Sequence, residues 1–162
     1  RPFASTAVRA ALREGDVAEA ATILGRWWEV EDRVATGQRV GRAIGYPTAN
    51  LALADTLHPA HGIYAVWAGL EEAGAVHWHP GAANFGTRPT FDGEDELLEI
   101  HLLDFAGDLY GQRLRVRFVE RLRAEEKFDG VEALVAQMDE DCVRARDILA
   151  RQGPDCPTER AV

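Results

Sequence analysis

Arg113-Leu114-Arg115-Val116-Arg117-Phe118 alternates basic and apolar residues without a break. A period of two puts Leu114, Val116 and Phe118 on one face of a strand and the three arginines on the other. A strand with one apolar and one charged face belongs to an antiparallel sheet that is wet on one side. Upstream, aromatic and β-branched residues interrupted by Gly, Pro and Asp clusters predict further strands over 28–36, 62–69, 75–83 and 97–105, with the alternating one over 114–122. The links are short and none carries a helical period, so parallel βαβ units are not expected. A small antiparallel barrel or sandwich fits better.

The flanks read as helices. Residues 4–24 predict two short ones, the first opening at Ser5 or Thr6 and the second at Asp16, where Glu19 completes a capping-box pattern and Gly25 supplies the stop. Their apolar faces are mostly Ala, with Val8, Leu12, Ile23 and Leu24, so the pair is expected to bury little by itself and to be either the end of something else or a packing appendage. After the last strand, Asp129 and Glu132 form a second capping-box pattern. Val131, Leu134, Val135, Met138, Cys142, Ala145, Ile148 and Leu149 keep helical spacing for about five turns. Gly153 and Pro154 end that helix, and the polar tail over 153–162 is expected to be loose. There is no internal repeat.

A chain of 162 residues suits one domain with a short appendage. A net charge of -9 argues against a general nucleic-acid or membrane-surface binder, since both need a positive footprint. No apolar run approaches the roughly 18 residues of a membrane span, and no secretory signal opens the chain, so a soluble cytoplasmic protein is expected. Cys142 and Cys156 have neither CxxC nor metal spacing and read as reduced, non-functional thiols.

Gly45-Tyr46-Pro47-Thr48-Ala49-Asn50 is the first stretch with chemical potential. Pro47 fixes its own φ and pushes Tyr46 toward extended geometry, so Thr48 and Asn50 leave the turn facing one way. Gly37, Gly41 and Gly45, with Arg39 and Arg42 between them, make a flexible basic lip suited to an anion. The segment is either a metal and phosphate site or a surface turn. Glu99 stands opposite the apolar Leu98, Ile100 and Leu102 on the 97–103 strand, beside His101 and flanked by Leu97 and Leu103. Such a carboxylate is either a partly desolvated base or an acid on a wet face.

Arg123 and Phe128 either grip an aromatic ligand by charge and stacking, or Phe128 is a hydrophobic staple for the last helix. His58 with His61, and His77 with His79, have spacings a metal could use but lack further ligands, so turn or surface histidines are the better reading. Trp27, Trp28, Trp67 and Trp78 fit barrel core or rim positions rather than a stacking platform. Residues 84–91, Asn-Phe-Gly-Thr-Arg-Pro-Thr-Phe, read as a turn-rich loop. Neither GxxxxGK[ST] nor the HRD and DFG elements of protein kinases occur.

In order along 25–150, the 37–50 run ending in PTAN, HGIYA at 61–65, ANFGTRPTF at 83–91, LEIHLLDF at 98–105, DLYG at 108–111 and the 122–128 segment closely resemble the riboflavin kinase module of the bifunctional bacterial FAD synthetases. The resemblance implies a mainly β fold: a six-stranded antiparallel Greek-key barrel with a long C-terminal helix. It implies transfer of the ATP γ-phosphoryl group to the ribityl 5′-hydroxyl of riboflavin, giving FMN. On this chain Thr48 and Asn50 would hold Mg²⁺ and the ATP phosphates, with Pro47, Gly37, Gly41, Arg42 and Gly45 around the nucleotide and Tyr110 lining its pocket. Glu99 would be the base, and Arg123, Glu126 and Phe128 fall at flavin-contact positions.

Ser5-Thr6-Ala7-Val8-Arg9 is similar to the end of the adenylyltransferase module of the same enzymes. Residues 1–24 are accordingly expected to be a helical remnant of that module, with the kinase over 25–152, and FAD synthesis is not expected from this chain. The alternatives are a non-catalytic flavin- or nucleotide-binding barrel and, less favoured, a flavin-binding oxidoreductase.

Overall fold

The computed structural model describes residues 2–35, 48–53, 57–90, 93–107, 109–155 and 157. Among them six strands form one antiparallel sheet: β1 (Trp28–Arg33), β2 (Thr48–Leu51), β3 (Gly62–Glu72), β4 (Ala75–Thr90), β5 (Gly93–Leu102) and β6 (Arg113–Arg123), in the order β1-β6-β3-β4-β5-β2. The hairpin-linked β3, β4 and β5 lie side by side and β6 returns next to β3, which is a Greek key. The sheet curls into a half-barrel, and a bridge between Ala35 and Asn50 joins the chain beyond β1 to β2 at the opposite edge. The expected mainly β fold with a C-terminal helix is therefore the observed one.

The alternation in β6 sorts its residues as its period requires. Leu114, Val116 and Phe118 are fully buried, with Trp28 and Tyr64 rings packed on Phe118. On the other face Arg113 bonds Glu31 at 2.8 Å, and Arg115 and Arg117 each bond Glu29 at 2.9 Å. The Arg117 guanidinium also lies 3.9 Å from the centre of the Trp78 ring. Beneath that ring is Gly69, where a Cβ would come within 2.6 Å of the indole, so only glycine permits the stack.

Two apolar clusters form, one on each side of the sheet. The concave side holds Val30, Leu51, Val66, Phe85, Leu98, Ile100 and their neighbours. It also takes Val8, Ala11, Leu12, Val17 and Ala20 from α1 (Pro2–Arg13) and α2 (Val17–Leu24). The helix pair thus buries more than its alanine-rich face suggests, because small side chains let the helices approach the barrel closely. Asp16 caps α2 by accepting from the Glu19 amide at 3.0 Å, and Gly25 ends it at φ 75°, as expected. The first helix starts earlier than expected, at Pro2, a residue suited to a first turn where its missing N–H costs nothing.

The convex side packs against α3 (Val131–Arg151), whose Cys142, Ala145 and Leu149 meet Ile63, Ala65, Ala82, Val119 and Leu122. The capping box expected at Asp129 does not form. The helix begins one residue later, so Gly130 at φ 118° takes the N-cap position with no side-chain bond. Past the helix, the carbonyls of Gly153 and Pro154 accept from Trp27 and Arg117, and that of the C-cap residue Gln152 accepts from Trp67. Residues 84–90, expected to be a loop, instead complete β4, because each pairs in turn with β5 from Asn84 opposite Glu99 to Thr90 opposite Gly93.

Candidate functional site

The pairing of β2 with β5 places Thr48 opposite His101 and Asn50 opposite Glu99. On the other side of β5, β4 places Asn84 opposite Glu99 and Ala82 opposite His101. Facing residues of antiparallel strands share a face with Cβ atoms about 5 Å apart. Asn50, Glu99 and Asn84 therefore form one row across three strands. The intervening residues Ala49, Leu51, Leu98, Ile100, Ala83 and Phe85 point into the concave core, so the row lies on the convex side.

Alternation predicted each strand's two faces, and the fold supplies the neighbours. Asn50 is almost fully buried, at 4% exposure, while Thr48, Glu99 and His101 are half-buried. The Thr48 hydroxyl lies 3.2 Å from His101 Nδ1. The Thr48 hydroxyl and the Asn50 carboxamide offer hard oxygens, which fit Mg²⁺ and disfavour softer metals. Gly37, Gly41, Arg42, Gly45 and Pro47, expected around the nucleotide, lie outside the described residues.

Continuing the row, Asn84 faces Ile63 of β3 and Ile63 faces Arg123 of β6. Arg123 does not offer a free charge. Its Nε and Nη2 donate to the two carboxylate oxygens of Asp141 on α3 at 2.9 and 2.8 Å, and Gln137 donates to the same carboxylate at 3.0 Å. The Asp141 carboxylate holds the Arg123 guanidinium above its ordinary pKa despite the opposing effect of burial. The guanidinium lies 5.7 Å from the ring centre of Phe128, which is half-buried. Glu126 is exposed. Arg123 thus ties β6 to α3 and leaves the Phe128 ring as the apolar surface of the segment between them.

That segment also crosses back over β4. The Glu125 carboxylate sits above Gly86 so closely that a Cβ there would be 2.0 Å from its oxygen. Gly86 is two residues from Asn84 on the same strand and therefore on the same face. The segment expected to meet the flavin consequently adjoins the row that contains Glu99. Neither Asn84, Glu125 nor Asp141 stood out in the sequence: the first two matter through close approaches between distant segments, and the third through a helix whose docking no local pattern encodes.

Tyr110 is 63% exposed, on a turn whose Gly111 amide donates to Val34 at 3.0 Å. The next residue along, Ala35, donates to the Asn50 carbonyl at 2.7 Å, so this turn borders the β2 end of the site. His58 and His61 both engage Glu96, at 3.2 and 2.6 Å, and the His61 bond is the main cause of a lowered Glu96 pKa. Among the described residues no group of three or more His, Cys, Asp or Glu is placed to hold a metal. Cys142 is buried, and its desolvation pushes the thiol pKa up to about 11, which makes it unreactive.

Comparison with known proteins adds independent findings. The bifunctional riboflavin kinase/FMN adenylyltransferase of Escherichia coli K12 is 41% identical over 153 residues, 94% of this chain and 48% of that protein. The chain spans about half the length of the relatives it matches. A solved structure described as a macrolide-efflux protein from Streptococcus pneumoniae superposes with a TM-score of 0.81 at 38% identity, covering 88% of this chain and 46% of that one. Efflux is that protein's description; among the described residues here no helix is long and apolar enough to cross a membrane. Riboflavin kinase from Trypanosoma brucei shares the fold, with a TM-score of 0.61 at 21% identity over 80% of this chain and 83% of that one. The family model described as Flavokinase, riboflavin kinase, matches residues 24–149, and with that match over most of its length the chain belongs to the riboflavin kinase family.

Proposed function

We propose that this chain transfers the γ-phosphoryl group of ATP to the ribityl 5′-hydroxyl of riboflavin, giving FMN and ADP. What supports this reading most is the register that pairs Asn50 with Glu99, since it sets a buried amide beside a carboxylate on one rigid sheet face. Phosphoryl transfer needs positioning and charge neutralisation more than covalent help from the protein. Glu99 accepts the proton of the attacking hydroxyl as the new O–P bond forms and the bond to ADP breaks. Such proton transfer contributes roughly 10²- to 10⁴-fold.

Thr48 and Asn50 are the residues that would hold Mg²⁺, and the ion, when bound, neutralises charge on the phosphates. Because the Thr/Asn pair is neutral, it leaves the charge of the ion for them. Phe128 offers its ring to the isoalloxazine, and the exposed Tyr110 borders the nucleotide side. Only the kinase step is assigned to these residues; the adenylyltransferase named for the relatives would act as a partner module.

The test is incubation of the folded chain with riboflavin, ATP and Mg²⁺, followed by separation of riboflavin from FMN. FMN that appears only when all three are present supports the kinase. Riboflavin binding with no FMN would instead identify a non-catalytic flavin-binding barrel.

A further inference from the structure

Among the described residues, three buried side-chain polar atoms lack a hydrogen-bond partner: His79 Nε2, Asn84 Oδ1 and Arg121 Nε. His79 packs its ring edge-on against Phe105 at 5.1 Å, and Arg121 already donates through Nη2 to the His61 carbonyl at 2.6 Å. Neither stands in the row that contains Glu99. Asn84 does, with Glu99 as its register partner on β5 and Ile63 as its partner on β3.

A carboxamide oxygen needs an N–H or O–H donor. Ile63 has none on its side chain, and an ionised Glu99 only accepts. A buried acceptor left unsatisfied destabilises the fold, and each such atom calls for an explanation. Here the unsatisfied atom belongs to a residue beside the carboxylate assigned as base. That position suits a ligand carrying several hydroxyls on one flexible chain. While one hydroxyl gives its proton to Glu99, a neighbouring hydroxyl can donate to the amide oxygen.

We propose that Asn84 is a substrate-positioning residue: its Oδ1 accepts a hydrogen bond from a ribityl hydroxyl other than the reacting one and so sets the reach of the ribityl chain toward Glu99. The proposal rests on the kinase reading above. It assigns Asn84 to the polyol chain of the acceptor substrate, a role distinct from those of Thr48, Asn50 and Glu99. It also explains why the fold keeps an amide where an apolar side chain would pack without leaving a polar atom unsatisfied.

The experiment compares wild type with Asn84→Ala on riboflavin and on its 2′-, 3′- and 4′-deoxy analogues, with thermal melting of each ligand-free protein. Removing an unsatisfied acceptor leaves the melting temperature equal or higher, whereas kcat/KM for riboflavin falls roughly tenfold to hundredfold with KM for ATP unchanged. On the analogue that lacks the partner hydroxyl, wild type already shows that loss and Asn84→Ala adds none, the non-additivity of a shared contact. Asn84→Ser, which keeps a short acceptor, recovers part of the activity and serves in place of Asn84→Ala if the latter does not fold.

Wild-type kcat/KM in a folded Asn84→Ala, or an equal further loss on all three analogues, overturns the assignment of Asn84 alone. A folded wild-type chain that makes no FMN overturns the kinase reading and this assignment with it.

Discussion

Glu29 is the negative charge that lets two arginines share one wet strand face. It accepts from Arg115 at 2.9 and 3.0 Å and from Arg117 at 2.9 Å. Burial opposes its ionisation, but the hydrogen bonds from Arg115 and Arg117 outweigh it and hold the carboxyl below its ordinary value of 4.5. A depressed native pKa stabilises the fold above the unfolded pKa, and that stabilisation is lost as pH falls through the native one. Melting followed from neutral pH down through about pH 3 should therefore show Glu29→Gln already less stable at neutral pH, by about 1 kcal/mol for a pair partly open to solvent, with a flatter acid limb than wild type. Parallel curves for the two proteins would remove Glu29 from the acid transition. Alternation made the Arg face legible, but not its counterion, because cross-strand partners are chosen by a pairing between distant segments.

At the scale of elements, α3 is held by an apolar seam against the sheet, by an ion pair to β6 and by a second, exposed ion pair from Arg146 to Asp104 just beyond β5. Cys142, Ala145 and Leu149 form the seam, and Asp141, 4% exposed, pairs with Arg123. Asp141→Ala leaves a half-buried guanidinium without its partner, which costs about 3–5 kcal/mol. Urea unfolding should show that loss, while replacing both residues with apolar ones of similar size should recover much of it. An unchanged midpoint for Asp141→Ala would mean that the Arg123 pair adds nothing to the docking of α3. Helical spacing makes that face legible over 131–149, whereas the start of the helix is not, because Gly130 at φ 118° turns the chain one residue after the expected cap, Asp129. The loop reading of 84–90 failed for a related reason: Gly86, Pro89 and Thr90 look like turn residues, yet they lie in a strand that has a full partner in β5.

For the molecule as a whole, the curl of the sheet separates two tasks. The concave side is closed by α1 and α2, which bring Leu12 and Val17 into the same core as Phe85 and Ile100. The convex side carries the row of Asn50, Glu99 and Asn84 and, along β4, the crossing of the 124–130 segment at Gly86. The antiparallel class and the faces of Thr48, Asn50 and Glu99 could be read from periodicity alone. That they meet could not, since it depends on β5 lying between β2 and β4 rather than at an edge. The sheet order is what brings three distant stretches together as the site proposed for phosphoryl transfer to riboflavin. The most direct test is the rate of FMN formation by Glu99→Gln against wild type at saturating riboflavin and Mg-ATP. The predicted result is a fall in kcat of roughly 10²- to 10⁴-fold with riboflavin affinity retained, and a wild-type kcat in Glu99→Gln would contradict the account.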